Sequence, residues 1–219
     1  MLLLLYRYHY FFKPKKKQME RMLKLIFATK NSGKIIEVRD ILKDANIELV
    51  SLLGLSNDID IIESGSTFEE NARIKAESIY NAFGVPVIAD DSGLSVDQLN
   101  GEPGVYSARY AGENASDDEN NYKLLSELQR FPEPHSAKFI CSAVYYDGKN
   151  YLSASGEVNG RIIKKAKGNN GFGYDPLFVP NGYNMTSAEL SLDEKNKISH
   201  RAIAFKKLRN LIINSSEKI

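Results

Sequence analysis

The chain alternates short apolar runs with longer segments of helical periodicity, and this alternation restricts its possible folds more than any other feature. Residues 23–28 form an apolar run of strand length, and residues 32–45 then place apolar side chains at helical spacing. A second run spans 47–53, and residues 66–83 open on a capping box and repeat apolar side chains on one helical face. Alternating strands and helices predict an α/β fold with a mixed sheet.

The second half of the chain adds a hairpin and two helices to this pattern. Ser116 and Glu119 stand in capping-box spacing, which predicts a helix that begins there. Residues 137–160 form two apolar runs around an Asp-Gly turn, which is typical of a β-hairpin. Residues 199–214 predict a closing helix, and no repeat or linker divides residues 22–219. We therefore expect a single domain over 22–219.

Residues 1–21 differ from the rest of the chain in charge. They carry six basic residues and one acidic residue, whereas the remainder carries 23 basic and 27 acidic residues. An acidic excess argues against a general nucleic-acid binder. The apolar run at 2–5 is too short to span a bilayer. We interpret 1–21 as a disordered extension or a misassigned start ahead of Met22; a weak interfacial anchor is the alternative, and no stable membrane association is expected.

Cysteine usage bears on the compartment. The chain has a single cysteine, Cys141, which cannot form an intrachain disulfide. This usage fits a reducing compartment, and we expect a cytoplasmic protein.

Two adjacent acids, Asp90 and Asp91, follow a further apolar run at residues 85–89. Burying paired carboxylates is costly unless a positive charge accompanies them. We therefore expect the strand to end at the acids, where they lie in a solvated turn or hold a cation. Mg²⁺ prefers one or two carboxylates with waters and phosphate oxygens, and a carboxylate can accept a proton from an attacking water. Ser92 could donate to a phosphate.

The polar loop at residues 28–34 joins a predicted strand to a predicted helix. Helix N-termini present free N–H groups to anions, and Lys30 and Lys34 add positive charge, so the loop could bind phosphate. It lacks the glycine and the Ser or Thr of a P-loop. The alternative is a capped helix with surface lysines.

Two later stretches could recognise a base. Glycines around Phe172 and Tyr174 could leave an aromatic face open for stacking, with Asp175 as an acceptor; the alternative is a glycine-rich turn with a core aromatic. Arg201 could donate a fork to a purine edge, or the stretch that contains it could be an exposed cationic helix entry. Arg109 is more typical of a structural ion-pair partner than of a ligand.

Together and in this order, the stretches resemble the inosine triphosphate pyrophosphatase family, the non-standard purine nucleoside triphosphate pyrophosphatases (dITP/XTP diphosphatases). The resemblance runs from about Leu23 to the C-terminus. The family's motifs match Ala28–Lys34, Asp90–Tyr110, Gly171–Phe178 and Ala188–Arg201.

The resemblance implies a mixed twisted sheet with flanking helices, and two lobes around a central substrate cleft. It implies a homodimer that hydrolyses ITP, dITP and XTP to the monophosphate and pyrophosphate, with Mg²⁺ as cofactor. Such an enzyme would clear non-standard purines from the nucleotide pool. The alternatives are a pyrophosphatase for modified pyrimidines and a nucleotide-binding protein without activity.

The resemblance also assigns roles by position. Asp91 is the implied proton acceptor and metal ligand, and Glu63 is the implied second metal ligand. Ile62 stands where some members carry a further acid. The implied substrate contacts are Thr29, Lys30, Asn31, Ser32, Gly33, Lys34, Ser92, Phe172, Gly173, Tyr174, Asp175, Lys195, His200 and Arg201.

Overall fold

The computed structural model describes residues 22–55, 59 and 61–216, so the expectations for residues 1–21 lie outside the described part. Strands and helices alternate before a long hairpin, as the sequence predicts. The elements in chain order are β1 (Leu23–Phe27), α1 (Ser32–Leu42), β2 (Ile47–Ser51), α2 (Phe68–Phe83), β3 (Val87–Val96), α3 (Asp117–Leu128), β4 (His135–Tyr146), β5 (Tyr151–Ile162), β6 (Phe178–Pro180), α4 (Leu192–Ile198) and α5 (His200–Ser216). Short 3₁₀ helices span Leu52–Gly54, Asp97–Leu99 and Gly104–Arg109.

The strands form one sheet in the order β2-β1-β3-β4-β5-β6. Strand β1 pairs in parallel with β2 and β3, because helical crossovers connect these strands. The pairs β3–β4, β4–β5 and β5–β6 are antiparallel. The prediction of an α/β fold with a mixed sheet is therefore confirmed.

Strand β3 does not end at the two acids, so that expectation is wrong. It continues through Asp90 and Asp91 to Val96, because β4 supplies backbone partners along its whole length. On its other side, pairing with β1 stops at Ile88, since the chain leaves β1 after Phe27 to enter α1. The acids thus lie in the middle of a long strand, where one flank of the sheet opens.

Two lobes share this sheet. In the first lobe, α1 and α5 pack on one face and α2 packs on the other. The second lobe packs α3 and β6 against the far ends of β3, β4 and β5. Its buried core contains Leu94, Val96, Leu99, Leu124, Leu128, Ala137, Phe139, Ile162, Tyr174, Leu177 and Phe178.

Local signals explain most of the helix boundaries. The capping boxes predicted for α2 and α3 are both present. A third capping box, formed by Ser191 and Glu194, opens α4. The sequence pattern did not predict α4, because seven residues are too few to show an apolar repeat. None of the described helices is long and apolar enough to cross a membrane.

Candidate active site

A cleft of about 420 Å³ lies between the lobes, a volume typical of small-molecule sites. It brings together residues of all the stretches that the sequence singled out. Asp91 and Glu63 line it. The implied substrate contacts that line it are Thr29, Lys30, Asn31, Lys34, Ser92, Phe172, Gly173, Tyr174, Asp175, Lys195, His200 and Arg201. Ser32 and Gly33 form the first turn of α1 instead.

The two adjacent acids face opposite sides of the sheet. Successive side chains of a strand alternate between its faces. Asp91 therefore points toward α2, whereas Asp90 points toward α1 and α5. The expectation of a solvated turn is wrong, since both acids are buried and each has its own cationic partners. A metal cation at the acids stays a prediction.

Asp91 is held by two side chains of α2 that lie one turn apart. Lys75 Nζ lies 3.2 Å from Asp91 Oδ1 and 3.0 Å from Glu63 Oε2. Asn71 Nδ2 donates to Asp91 Oδ2 at 3.1 Å. Burial lowers the pKa of Lys75, but the nearby carboxylates Asp91 and Glu63 outweigh burial and raise it above its usual value. The ammonium group therefore stays charged between two carboxylates.

Asp90 is buried and paired with cations from α1 and α5. Its Oδ2 lies 3.1 Å from Lys34 Nζ and accepts from Arg201 Nε at 3.2 Å. Burial alone would raise the pKa of Asp90, but Lys34 and Arg201 hold it well below its usual value. Asp90 thus joins the loop at residues 28–34 to the start of α5.

Arg201 is only 1% exposed, so the alternative of an exposed cationic helix entry is wrong. Its Nη1 donates to Glu37 at 2.5 Å, and its Nη2 donates to Ser92 Oγ at 2.6 Å. With the bond from Nε to Asp90, each guanidinium nitrogen has a protein partner. The side chain is fixed in place at the floor of the cleft.

Lys195 continues this network toward the loop at residues 172–175. Its Nζ lies 2.7 Å from Glu37 and 2.5 Å from Asp175. Burial raises the pKa of Glu37, but Arg201 and Lys195 outweigh it and lower the pKa. Asp175 also accepts from the backbone N–H of Phe172 at 2.9 Å. Alternating charges therefore connect the glycine-rich loop to Asp90 and Lys34.

His200 lies beside this network without joining it by an ion pair. Its ring is buried and stacks on Phe139, with 4.8 Å between the centroids. Burial, reinforced by the charge of Arg201, lowers the pKa of His200 well below its usual value. The ring is therefore neutral near pH 7.

The loop at residues 28–34 caps α1. Asn31 Oδ1 accepts from the Lys34 backbone N–H at 3.0 Å, and Thr29 Oγ1 accepts from the Asn31 backbone N–H at 3.1 Å. The capped-helix interpretation is confirmed, but Lys34 is a partner of Asp90 rather than a surface lysine. N–H groups in a first helical turn have no acceptor within their own helix and are therefore available to an anion. The phosphate role of the loop stays a prediction.

The two aromatic residues of the glycine-rich loop have different environments. Phe172 lies in the cleft, with the cations of Lys195 and Arg201 at 5.2 and 5.4 Å from its ring centroid. Tyr174 is buried in the second-lobe core and donates its hydroxyl proton to the Ser107 carbonyl at 2.9 Å. The open-face interpretation thus fits Phe172, and the core-aromatic alternative fits Tyr174.

Sequence reasoning missed Lys75, Asn71 and Glu37, although a signal was present. Lys75 stands on the apolar stripe of α2, directly before Ala76. Glu37 likewise precedes Val38 on the buried face of α1. A charged residue on an apolar helical face must have a buried partner, which is what the structure shows.

Two carboxylates offer a place for a divalent cation. Glu63 and Asp91 converge on one point, which Lys75 Nζ occupies as a positive charge. Ile62 is exposed, and its side chain offers no ligand atom. Among the described residues, no group of three acidic, histidine or cysteine side chains is gathered for a metal. A pair of carboxylates still fits Mg²⁺, which usually keeps waters and takes substrate oxygens.

Comparisons with known proteins agree with this architecture. The model of the Ham1 family matches residues 25–211. A dITP/XTP pyrophosphatase of Oceanobacillus iheyensis is 50% identical, over 85% of this chain and 96% of that protein. The dITP/XTP pyrophosphatase of Bacillus subtilis is 48% identical, over 87% and 98% respectively. A HAM1 protein structure from Coxiella burnetii superposes with a TM-score of 0.79 at 40% identity, covering 88% of this chain and all of that one.

Proposed function

This chain belongs to the Ham1 family, and we propose that it hydrolyses non-standard purine nucleoside triphosphates, namely ITP, dITP and XTP, to the monophosphate and pyrophosphate. Relatives of about half-identical sequence are named dITP/XTP pyrophosphatases. The observation that carries the proposal is the arrangement around Asp91. An acid held by Lys75 and Asn71 lines a cleft that also contains Lys34, Lys195 and Arg201.

Asp91 is the proposed proton acceptor. A water that attacks the α-phosphorus must lose a proton, and a carboxylate on a rigid strand can accept it. Lys75 and Asn71 bind both oxygens of Asp91, which orients the carboxylate toward one direction of the cleft. The leaving group is then pyrophosphate, since the bond between the α- and β-phosphates breaks.

Mg²⁺ is the proposed cofactor, and Asp91 and Glu63 would hold it. When bound, it neutralises charge on the phosphate oxygens and on the leaving pyrophosphate. Asp91 and Glu63 already stabilise one positive charge, the ammonium group of Lys75, which supports this pair of carboxylates as a cation site. Ser92, whose hydroxyl accepts from Arg201, can donate its own proton to a phosphate oxygen.

The triphosphate would lie along the N-terminus of α1. The N–H groups of Ser32 and Gly33 belong to the first turn, and the helix dipole favours an anion there. Lys30 and Lys34 line this part of the cleft. A polyanion would also offset the positive charge that these lysines bring together.

The base would stack on Phe172 at the other end of the cleft. The two terminal nitrogens of Arg201 carry two N–H groups each. Each nitrogen donates one hydrogen bond to the protein, so one N–H group of each remains as a donor for the base. A 6-keto purine offers an acceptor to such donors, whereas the amino group of adenine does not. Neutral His200 and the Lys195–Asp175 pair line the same end of the cleft.

We also propose that the protein is a homodimer and that it acts in the cytoplasm.

A pyrophosphate-release assay tests the proposal. Purified protein with Mg²⁺ is given ITP, XTP, dITP, GTP, ATP and a panel of modified pyrimidine triphosphates. We expect kcat/KM for the first three to exceed that for ATP by at least roughly tenfold, because the 6-amino group of adenine leaves a buried donor of the cleft unsatisfied. GTP shares the 6-keto group, so we expect a similar discrimination against it to come from its 2-amino group, which would be buried without an acceptor. Preference for a pyrimidine, or no pyrophosphate from any nucleotide, would overturn the proposal.

A variant of Asp91, the proposed proton acceptor, completes this test. Asp91→Asn keeps the shape of the side chain but removes the proton acceptor and weakens the proposed metal site. It should abolish turnover with unchanged far-UV circular dichroism. Turnover within a few-fold of the wild type would contradict the role of Asp91.

A further inference from the structure

Arg109 lies at the end of the 3₁₀ helix Gly104–Arg109 and lines the cleft. This helix is clamped onto β3. Ser107 Oγ accepts from the Leu94 backbone N–H at 2.9 Å and donates to the Gly104 carbonyl at 2.7 Å. A side chain at Gly93 would overlap Ser107, so the contact requires a glycine there. The helix that ends at Arg109 is thereby fixed against Gly93 and Leu94, which follow Asp91 and Ser92 on β3.

The second lobe fixes the backbone of Arg109 from the other side. Buried Asn120 of α3 accepts from the Ala111 N–H at 2.8 Å and donates to the Ala108 carbonyl at 3.2 Å. Lys123 Nζ donates to the Tyr110 carbonyl at 2.7 Å. Hydrogen bonds on both sides therefore hold the position from which the Arg109 side chain projects.

The guanidinium itself is only loosely engaged. Its nearest acid, Glu113, lies 3.8 Å from Nε, beyond hydrogen-bond distance, and the Glu113 side chain is 85% exposed. Such exposed pairs contribute little to stability. The Tyr106 ring lies 5.3 Å from the guanidinium carbon and supports the plane of the group.

Other cations of the cleft are bound much more closely to acids. Each of four has a carboxylate oxygen within 3.1 Å, and these four are Lys34, Lys75, Lys195 and Arg201. The side chain of Arg109 is 25% exposed. A rigidly mounted guanidinium with weak pairing is suited to a ligand anion, because its N–H groups form a fork that matches phosphate oxygens.

We propose that Arg109 is a further substrate-binding residue, which contacts a phosphate group of the triphosphate from the second lobe. The loop at residues 28–34 would bind the same polyanion from the first lobe. The inference rests on the proposed function for the identity of the anion. It predicts that Arg109 contributes equally to all nucleotides, since their triphosphates are identical.

Isothermal titration with inorganic tripolyphosphate in the presence of Mg²⁺ tests the proposal without a base or a reaction. Arg109→Gln should weaken binding about 10- to 100-fold, the usual effect of a lost charge-assisted hydrogen bond. Arg109→Lys should recover part of the affinity, because it restores the charge but not the fork. Arg130→Gln is the matched control: Arg130 pairs with Glu127 on the surface, outside the cleft, and its loss should change nothing.

Kinetics with ITP and ATP separate phosphate binding from base reading. Arg109→Gln should raise both KM values in the same proportion and leave the ITP-to-ATP ratio unchanged. Unchanged tripolyphosphate affinity, or an altered ITP-to-ATP ratio, would overturn the proposal. If the wild type hydrolyses no nucleotide while tripolyphosphate binding still depends on Arg109, the proposed function fails and the anion site stands. Thermal unfolding should show that both variants of Arg109 stay folded, since the weak pair with Glu113 and the contact with the exposed Tyr106 ring contribute little to stability.

Discussion

At the scale of single residues, Lys75 holds the two carboxylates of the proposed metal site, Asp91 and Glu63. Lys75→Met removes the ammonium group that lies between Asp91 and Glu63 and leaves both carboxylates without it. Breaking a buried pair in this way costs about 3–5 kcal/mol of unfolding free energy. Mg²⁺ should restore part of this loss, and therefore raise the melting temperature of the variant more than that of the wild type.

Thermal unfolding with and without Mg²⁺ measures this difference. Lys138→Met is the matched control, because Lys138 pairs with Glu157 on the surface. It should neither lower the melting temperature markedly nor change its response to Mg²⁺. An equal Mg²⁺ response in Lys75→Met and the wild type would count against Asp91 and Glu63 as metal ligands.

The low pKa of buried His200 gives the protein a pH dependence whose sign follows from burial. Its pKa is well below 6.5 in the folded state, whereas the unfolded chain titrates near the usual value. As the pH is lowered below about 6.5, the unfolded state therefore binds one more proton than the folded state. The free energy of unfolding then decreases by about 1.4 kcal/mol for each pH unit of acidification. Above that pH the ring is neutral in both states and contributes no slope.

Denaturant unfolding between about pH 7.5 and 5.5 checks this sign. The His200→Asn variant should lose less stability over this range than the wild type, because it has no ring to protonate. Parallel curves for the two proteins would show that the pKa of His200 is the same in the folded and unfolded states.

The sequence predicted some of these residues and missed others for a physical reason. It showed that Asp90 and Asp91 need positive partners, and both have them. It did not show that the partners are separate, because the strand was expected to stop at the acids. The position of Lys75 on an apolar stripe indicates that it has a buried acidic partner, but the sequence does not show that this partner is Asp91.

At the scale of secondary structure, the start of α1 and the glycine-rich loop are in direct contact. A Cβ at Gly33 would overlap the ring of Phe172. Gly33→Ala should therefore displace the ring that we propose as the base platform. The helix itself should gain up to about 1 kcal/mol, since alanine is the better helix former. We expect an undiminished melting temperature together with a raised KM for ITP.

Steady-state kinetics and thermal unfolding of the same variant check both expectations. Ile36→Ala is the control in the same helix, since the Ile36 side chain is exposed and does not line the cleft. A KM equal to that of the wild type in Gly33→Ala would show that Phe172 is not part of the binding surface.

Elements with their own periodicity were predictable, and elements that depend on distant partners were not. The apolar repeats of α2 and α5 set their identity locally. The true length of β3 depends on ten register pairs with β4, which lies about fifty residues later in the chain. No local pattern carries that information, and the short helix α4 is likewise supported mainly by its cap.

At the scale of the whole molecule, the chain from Met22 onward should suffice for activity. The family model begins to match at residue 25, and residues 1–21 have no counterpart in the resemblance. A protein that begins at Met22 should keep the kcat/KM of the full chain and the same number of subunits by light scattering. Loss of activity or precipitation would show that the segment packs against the body.

The two-lobed shape followed from the resemblance rather than from the periodicity. Alternating strands and helices predict a sheet with helices, but not where the sheet opens. The opening arises because β1 is five residues long and β3 is ten, so β3 extends past its parallel neighbour. The cleft and its charged walls are a consequence of that difference in length.

Hydrolysis of ITP in oxygen-18 water tests the central claim most directly. If Asp91 accepts the proton of a water that attacks the α-phosphorus, mass spectrometry should find one oxygen-18 atom in IMP and none in pyrophosphate. Label in the pyrophosphate, or release of IDP with labelled inorganic phosphate, would contradict the claim.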